Sequence, residues 1–254
     1  MSFARGLVHH DSVDSTMRTT REAATHGAPH GTTHLAREQT QARGRHGHRW
    51  QATRDAGVWM TTILRPEGID PARWPELALV AGVATQRAVT RLGAHAVRLK
   101  WPNDLVAREK KLGGLLLESA SGTSAPFVLV GIGIDVAPSS THELDPALRD
   151  HVIGLAELGV TATVPEVAAA VLDELEAWYA DWAAHGVAKT LSAWRDVDGL
   201  LGRRVRFAQD GATLEGVAQG VKEWGELCVT TDEGACAVRA GEVLEVRAAR
   251  GETR

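Results

Sequence analysis

Three stretches of the chain carry side chains able to do chemistry on an anion. The first is Gln39-Thr40-Gln41-Ala42-Arg43-Gly44-Arg45-His46-Gly47-His48-Arg49-Trp50, in which cationic residues are interleaved with glycine. Glycine lets the backbone turn tightly, so that amides and guanidinium groups converge on one anion, and arginine adds a fixed fork of donors suited to phosphate oxygens. Trp50 adds an aromatic face for a base or for the loop itself. A solvated basic loop has the same composition, so this stretch alone leaves both readings open.

The second stretch is Lys100-Trp101-Pro102-Asn103-Asp104-Leu105, followed shortly by Lys111-Leu112-Gly113-Gly114-Leu115-Leu116-Leu117-Glu118. A lysine just ahead of two glycines can meet a carboxylate or phosphate lying across the strand. Lys-Leu-Gly-Gly is also the form of an ordinary hairpin end, and Asn-Asp that of an ordinary turn. The third stretch, Gly131-Ile132-Gly133-Ile134-Asp135-Val136, closes an apolar run. It is not a dinucleotide fingerprint, because the third glycine and a following helix are missing.

The elements that must position these residues follow from periodicity and punctuation. A helix is predicted over 14–27, started by Asp14 or Ser15 and stopped by Gly27 and Pro29. Strands are predicted over 33–38 and 58–64, with the long loop 39–56 between them. Its glycine and charge predict that it becomes ordered only when ligand arrives. Leu77, Val80, Ala81, Ala84 and Ala88 fall at helical spacing, with Gly93 placed as the stop. Strands over 96–99, 111–118 and 127–136 are separated by polar turns, the pattern of an antiparallel or mixed sheet. Thr163 with Glu166 reads as a capping box, and Val167, Val171, Leu175, Trp178 and Trp182 continue a core-facing stripe. Beyond about residue 200 come short β-rich runs at 204–207, 214–218, 227–231 and 235–239, read as a small all-β appendage. The expected division is therefore 1–200 and 201–254.

The whole-chain properties bound the function. With 254 residues, 44% hydrophobic and 24% charged, the chain is an ordinary folded protein. A net charge of -4 argues against a general electrostatic grip on nucleic acid. Residues 1–10 lack the apolar core of a signal peptide, and no apolar run reaches a membrane span, which predicts a cytoplasmic protein. Cys228 and Cys236 are too few for a disulfide framework; they read as reduced thiols, small apolar fillers that could face each other on a hairpin.

Taken in order, the three stretches resemble the biotin protein ligase family, with its Gly-Arg-Gly-Arg-x-Gly-Arg-x-Trp loop, Lys-Trp-Pro-Asn-Asp, Lys-Leu-x-Gly-Ile-Leu-x-Glu and Gly-x-Gly-x-Asn. Asp14-Ser15-Thr16 is similar to the family's Asp-Ser-Thr-Asn segment, and the β-rich carboxy terminus to its SH3-like domain. The resemblance implies an α+β fold: a mixed sheet backed by helices, with a small carboxy-terminal SH3-like β-barrel. It implies activation of biotin with ATP to biotinyl-5'-AMP, then transfer of biotin to a lysine of a biotin carboxyl carrier protein, with Mg2+ accompanying the nucleotide. Ser15, Thr16, Met17 and Gln39 would hold biotin, with the Gly114 backbone beside them. Arg43, Gly44 and Arg45 would grip its carboxylate and the nucleotide phosphates, and Lys111 would neutralise charge developing between carboxylate and α-phosphate. His46, Trp50, Asn103 and Asp135 complete the expected adenylate site, Asp135 facing a ribose hydroxyl. No set of metal ligands is assigned, and Asp104 is read as structural or as a base in the second step.

The chain departs from the family at Met17, Ala42, His48 and Asp135. Ala42 stands where the family has glycine, so a backbone conformation that only glycine favours is expected to be unavailable there, and His48 exchanges a permanent charge for a mostly neutral ring. Competing readings are a lipoate or octanoate ligase or transferase of the same fold, and a catalytically weak biotin-binding protein. A biotin-sensing DNA regulator is disfavoured, because Ser15-Thr16 stands almost at the start of the chain. A monomer or homodimer is expected.

Overall fold

The computed structural model describes residues 3–47, 49–122, 125–138, 150–209, 212–238 and 243–247. Seven strands form the main sheet: β1 (Leu7–His10), β2 (Thr33–Ala36), β3 (Gly57–Leu64), β4 (Arg98–Lys100), β5 (Asp104–Ala107), β6 (Lys110–Ala120) and β7 (Phe127–Asp135). Their order is β1-β2-β3-β7-β6-β5-β4. β1 runs parallel to β2 and every other neighbour is antiparallel, so the sheet is mixed.

The sheet is covered on both faces, which is why β3 is buried along its whole length rather than at alternate positions. Val58, Met60 and Leu64 join the main core with helices α2 (Leu77–Arg91) and α3 (Val164–His185). On the opposite face Ile63 packs with Phe127 and Leu129 beneath α1 (Thr16–Thr25), which buries Thr16, Thr20 and Ala24. Helix α3 begins at the expected box: Glu166 accepts hydrogen bonds from the backbone N–H and hydroxyl of Thr163. Trp182 is fully buried, as its place in the stripe predicts, and Gly93 ends α2 with φ 111°.

A fourth helix, α4 (Ala188–Val197), was not expected. It follows α3 after a single turn and buries Trp194 against α2, where Gly82 makes room: a Cβ there would lie 2.8 Å from the indole. β1, β5 and the last strand were also unread. The second sheet comprises β8 (Arg204–Gln209), β9 (Ala212–Val221), β10 (Leu227–Thr231), β11 (Gly234–Val238) and β12 (Val243–Arg247), antiparallel in the order β11-β10-β9-β8-β12. Cys228 and Cys236 do lie on a hairpin but do not face each other. The register sets Cys228 opposite Ala237 and Cys236 opposite Val229, and adjacent rungs point to opposite faces. The two sheets are joined where Trp101 Nε1 donates to the Gly225 carbonyl at 2.8 Å.

Candidate active site

A cavity of about 210 Å³ opens over the pocket face of β6 and β7, between the start of α1 and the segment that joins β4 to β5. Its floor explains the Gly-x-Gly spacing. Gly131 and Gly133 point the same way from β7, and Cβ atoms there would come 2.8 Å from the Met17 methyl and 3.1 Å from the Trp50 indole. Any side chain would fill the space these two residues occupy.

At one end Ser15 caps α1 without a side-chain capping bond, and its side chain lines the cavity. Gln39 does the capping instead. Its Oε1 accepts from the Thr16 N–H at 2.7 Å and the Thr16 hydroxyl at 3.0 Å, and that hydroxyl also meets the Thr61 hydroxyl at 2.9 Å. The result is a polar cluster held from three separate elements.

At the other end Lys111 and Asp104 meet. The β5–β6 ladder shifts register between Leu105 and Val106, a bulge that re-aims the strand and brings Lys111 Nζ to 2.6 Å from Asp104 Oδ1. The same Nζ lies 5.2 Å from the centre of the Trp50 ring, within cation–π range. Gly114 lies directly beside the pair: a Cβ there would stand 3.4 Å from Asp104 Oδ1 and 3.5 Å from Lys111 Cε, in ordinary contact with both. Asn103 is committed to the hairpin: its Nδ2 donates to the Leu115 carbonyl at 2.6 Å, and the Leu115 N–H donates back to its own carbonyl at 2.8 Å.

The arginine loop covers the cavity. It is folded back on itself, with bridges Gln39↔Ala52 and Arg43↔Arg49. Ala42, Ala52 and Ala56 are buried against Trp59, so the loop has a small apolar core of its own. Ala42 is not in the left-handed region, so the conformation that only glycine favours is not used at this position. The glycine with positive φ in this loop is Gly47, at 76°.

Of the residues expected in the site, Ser15, Thr16, Met17, Gln39, Arg43, Gly44, Arg45, Trp50, Asn103, Lys111 and Gly114 all line this cavity. The side chain of His46 and the whole of His48 lie outside the described residues. Asp135 does not line the cavity. It sits at the end of β7 with 3% of its surface exposed, and burial pushes its carboxyl up to about 8 despite the opposing charge of Lys111. Its carboxyl is thus set back from the residues that line the cavity. Asp104, read first as structural, instead holds Lys111.

Sequence reasoning gave no role to Lys100, Trp101, Arg49, Thr61 or Val243, which also line the cavity. Lys100, Trp101 and Arg49 stood inside the quoted motifs. Thr61 had no signal beyond its place in an apolar strand, and Val243 comes from the second sheet. Among the described residues no three His, Cys, Asp or Glu side chains gather to hold a metal ion, and no helix is long and apolar enough to cross a membrane.

Comparison with known proteins agrees with this geometry. The biotin/lipoate A/B protein ligase family model matches residues 10–135, and the biotin protein ligase C terminal domain model matches residues 200–244. The biotin–[acetyl-CoA-carboxylase] ligase of Mycobacterium tuberculosis is 34% identical over 84% of this chain and 78% of its own. The bifunctional ligase/repressor BirA of Bacillus subtilis is 32% identical over 90% of this chain and 70% of its own. The solved biotin protein ligase of Aquifex aeolicus, in complex with biotin and ATP, superposes with a TM-score of 0.81 at 26% identity, covering 96% of this chain and 99% of that one. With its mixed, helix-backed sheet and small SH3-like carboxy-terminal sheet, the chain belongs to the biotin protein ligase family.

Proposed function

We propose that this protein activates biotin with ATP and transfers it to a lysine of a biotin carboxyl carrier domain in a biotin-dependent carboxylase. The observation that carries the reading is the meeting of Lys111 and Asp104 in the same cavity as the Ser15–Thr16–Gln39 cluster, beneath a loop that supplies Arg43 and Arg45.

In the first step an oxygen of the biotin carboxylate attacks the α-phosphorus of ATP, and pyrophosphate leaves with the electrons of the broken P–O bond. Both reactants are anions, so the step needs positioned positive charge more than covalent help. Lys111 supplies it at the junction of the two reactants, held in place by Asp104 and by the Trp50 face. Arg43 and Arg45 come from above, on a loop that can hold the adenylate against water. Ser15, Thr16 and Gln39 recognise the biotin head group, with Met17 packed beside it. Trp50 lies on Gly133 and offers the remaining indole face to adenine.

Magnesium would accompany the nucleotide as part of the substrate and would offset the charge of its phosphates. In the second step the neutral amine of the carrier lysine attacks the acyl carbon of biotinyl-5'-AMP. An amide forms, and AMP leaves with the electrons of the broken acyl–phosphate bond. A cytoplasmic site of action belongs to this proposal, supported by the unpaired thiols of Cys228 and Cys236.

The test is ATP–pyrophosphate exchange with biotin, lipoate and octanoate as alternative acids. Exchange with biotin alone is expected. Exchange driven by lipoate or octanoate and not by biotin would replace this reading with a lipoyl-type one.

A further inference from the structure

Five charged side chains, Asp11, Arg37, Glu38, Arg54 and Asp55, gather where the arginine loop leaves the sheet and returns to it. Arg54 grips Asp11 with two hydrogen bonds, both at 2.8 Å, and its Nε lies 3.4 Å from Glu38 Oε2. Arg37 grips Asp55 through bonds of 2.7 and 2.6 Å and reaches Asp11 at 3.0 Å. Asp11 is thus shared by one arginine from each stem of the loop.

Isolated exposed ion pairs contribute little, but forked arginine–carboxylate pairs linked into a network are the exception. Main-chain bonds lock the same place. Arg37 N–H donates to the His10 carbonyl at 3.0 Å, and Asp55 N–H donates to the Arg37 carbonyl at 2.9 Å. Asp55 adopts a left-handed φ of 58° to make that turn. One residue inward, Gln39 N–H donates to the Ala52 carbonyl at 3.1 Å, and Val13 N–H to the Glu38 carbonyl at 3.2 Å. Gln39 is the residue that caps α1 inside the cavity. The network therefore stands one residue from the candidate biotin site, although none of its members lines the cavity.

We infer that Asp11 is a positioning residue: it clasps both stems of the loop to the end of β1, so that Gln39, Arg43, Arg45 and Trp50 face one cavity together. The inference rests on the ligase reading for its functional consequence. Arg54 holds the Asp11 carboxyl down at about 2, so the clasp stays charged through the working pH range and is weakened by salt instead.

The test uses the full chain with Asp11→Asn, Arg54→Gln, the double variant and Asp11→Glu. Asp11→Asn is expected to raise KM for biotin and for ATP in pyrophosphate exchange about three- to fivefold, with kcat within about twofold of the parent. Tryptic cleavage within residues 43–49 of the unliganded protein should quicken, and Asp11→Glu should restore both properties in part. The double variant should fall clearly short of the sum of the two single effects, because both single variants break the Asp11–Arg54 contact and differ only in the further loss of Arg37–Asp11 or Arg54–Glu38. In about 1 M NaCl the rate of loop cleavage in the parent should move towards that of Asp11→Asn, while the rate in the variant changes little. Unchanged loop cleavage, additive effects in the double variant, or a fall in kcat at constant KM would overturn the inference. A parent without biotin-driven exchange would defeat the ligase reading, and the clasp would then be decided by the cleavage rates alone.

Discussion

Lys111 Nζ and Asp104 Oδ1 stand 2.6 Å apart across a bulged hairpin, each partly exposed to the same cavity. This pair joins the two motifs that flank it in sequence. Lys-Trp-Pro-Asn-Asp supplies the carboxylate and Lys-Leu-Gly-Gly the ammonium, and Gly114 lies beside both. Replacing Lys111 with Ala removes the cation proposed to stand at the reacting junction, while Asp104 stays in reach of water. The expected result is a loss of about a hundred- to a thousandfold in kcat/KM for biotin-dependent pyrophosphate exchange. Thermal unfolding of Lys111→Ala should match the parent closely; a large fall in Tm would show that the lysine serves the fold.

Asp104→Asn keeps the size of the side chain and removes the charge that orients Lys111. Adenylate formation in a single turnover should slow about tenfold, the worth of one hydrogen bond to a charged group. Transfer from preformed adenylate is the informative second measurement. If it slows by a much larger factor than adenylation, Asp104 acts on the carrier lysine as well.

The floor glycines separate site from scaffold. A Cβ at Gly131 lies 2.8 Å from the far end of Met17, a flexible side chain that can swing into the cavity, and 3.3 Å from the Leu116 carbonyl oxygen, a contact that a shift of a few tenths of an ångström relieves. Gly131→Ala should therefore raise KM for biotin about tenfold while altering stability by less than about 1 kcal/mol. A Cβ at Gly113 lies 2.5 Å from the Gly133 carbonyl oxygen, which is backbone and cannot yield. Gly113→Ala should lower unfolding free energy in urea by about 2–3 kcal/mol.

Asp135 gives the protein a pH signature. Its carboxyl is pushed up to about 8 by burial, with Lys111 pulling it down and Glu157 pushing it further up. Between the ordinary carboxylate value and 8 the unfolded chain has lost a proton that the native chain keeps, so stability falls as pH rises through that window. Asp135→Asn cannot ionise. Its Tm relative to the parent should rise steadily from about pH 4 to pH 8 and level off above, a trend that differential scanning at fixed buffer strength would show.

Glu76 is a buried carboxylate that accepts from Trp182 Nε1 at 2.5 Å and from Arg73 at 3.1 and 3.2 Å. Removing it strands a buried indole N–H and a partly covered guanidinium. Glu76→Ala should cost about 3 kcal/mol in chemical denaturation. Pyrophosphate exchange at low temperature should survive, since Glu76 does not line the cavity.

The parts of the fold most readable in the sequence are those whose signals are local and redundant. Thr163 with Glu166 marks the start of α3, and Gly93 marks the end of α2. The short strand β1 gave nothing to read, because four residues with only their ends partly buried form no alternation. Helix α4 was hidden by following α3 after Gly186 and Val187. In the site, residue types pointed to Lys111 and the arginines and the family resemblance to Gln39, but neither could show that Asp104 would be the partner of Lys111. That depends on a one-residue bulge. The depth of Asp135 was hidden for a similar reason: its motif lines the cavity at Gly131 and Gly133, and the strand dives into the interior two residues later.

The hydrogen bond from Trp101 to the Gly225 carbonyl, together with Val243 in the cavity wall, makes the small sheet part of the vessel in which the reaction is run. Cutting the chain near residue 200 would leave a buried indole with nothing to donate to and an open flank beside Lys100 and Asn103. The two sheets are therefore separate by architecture and share one cavity wall, so that removing the smaller would breach the cavity of the larger.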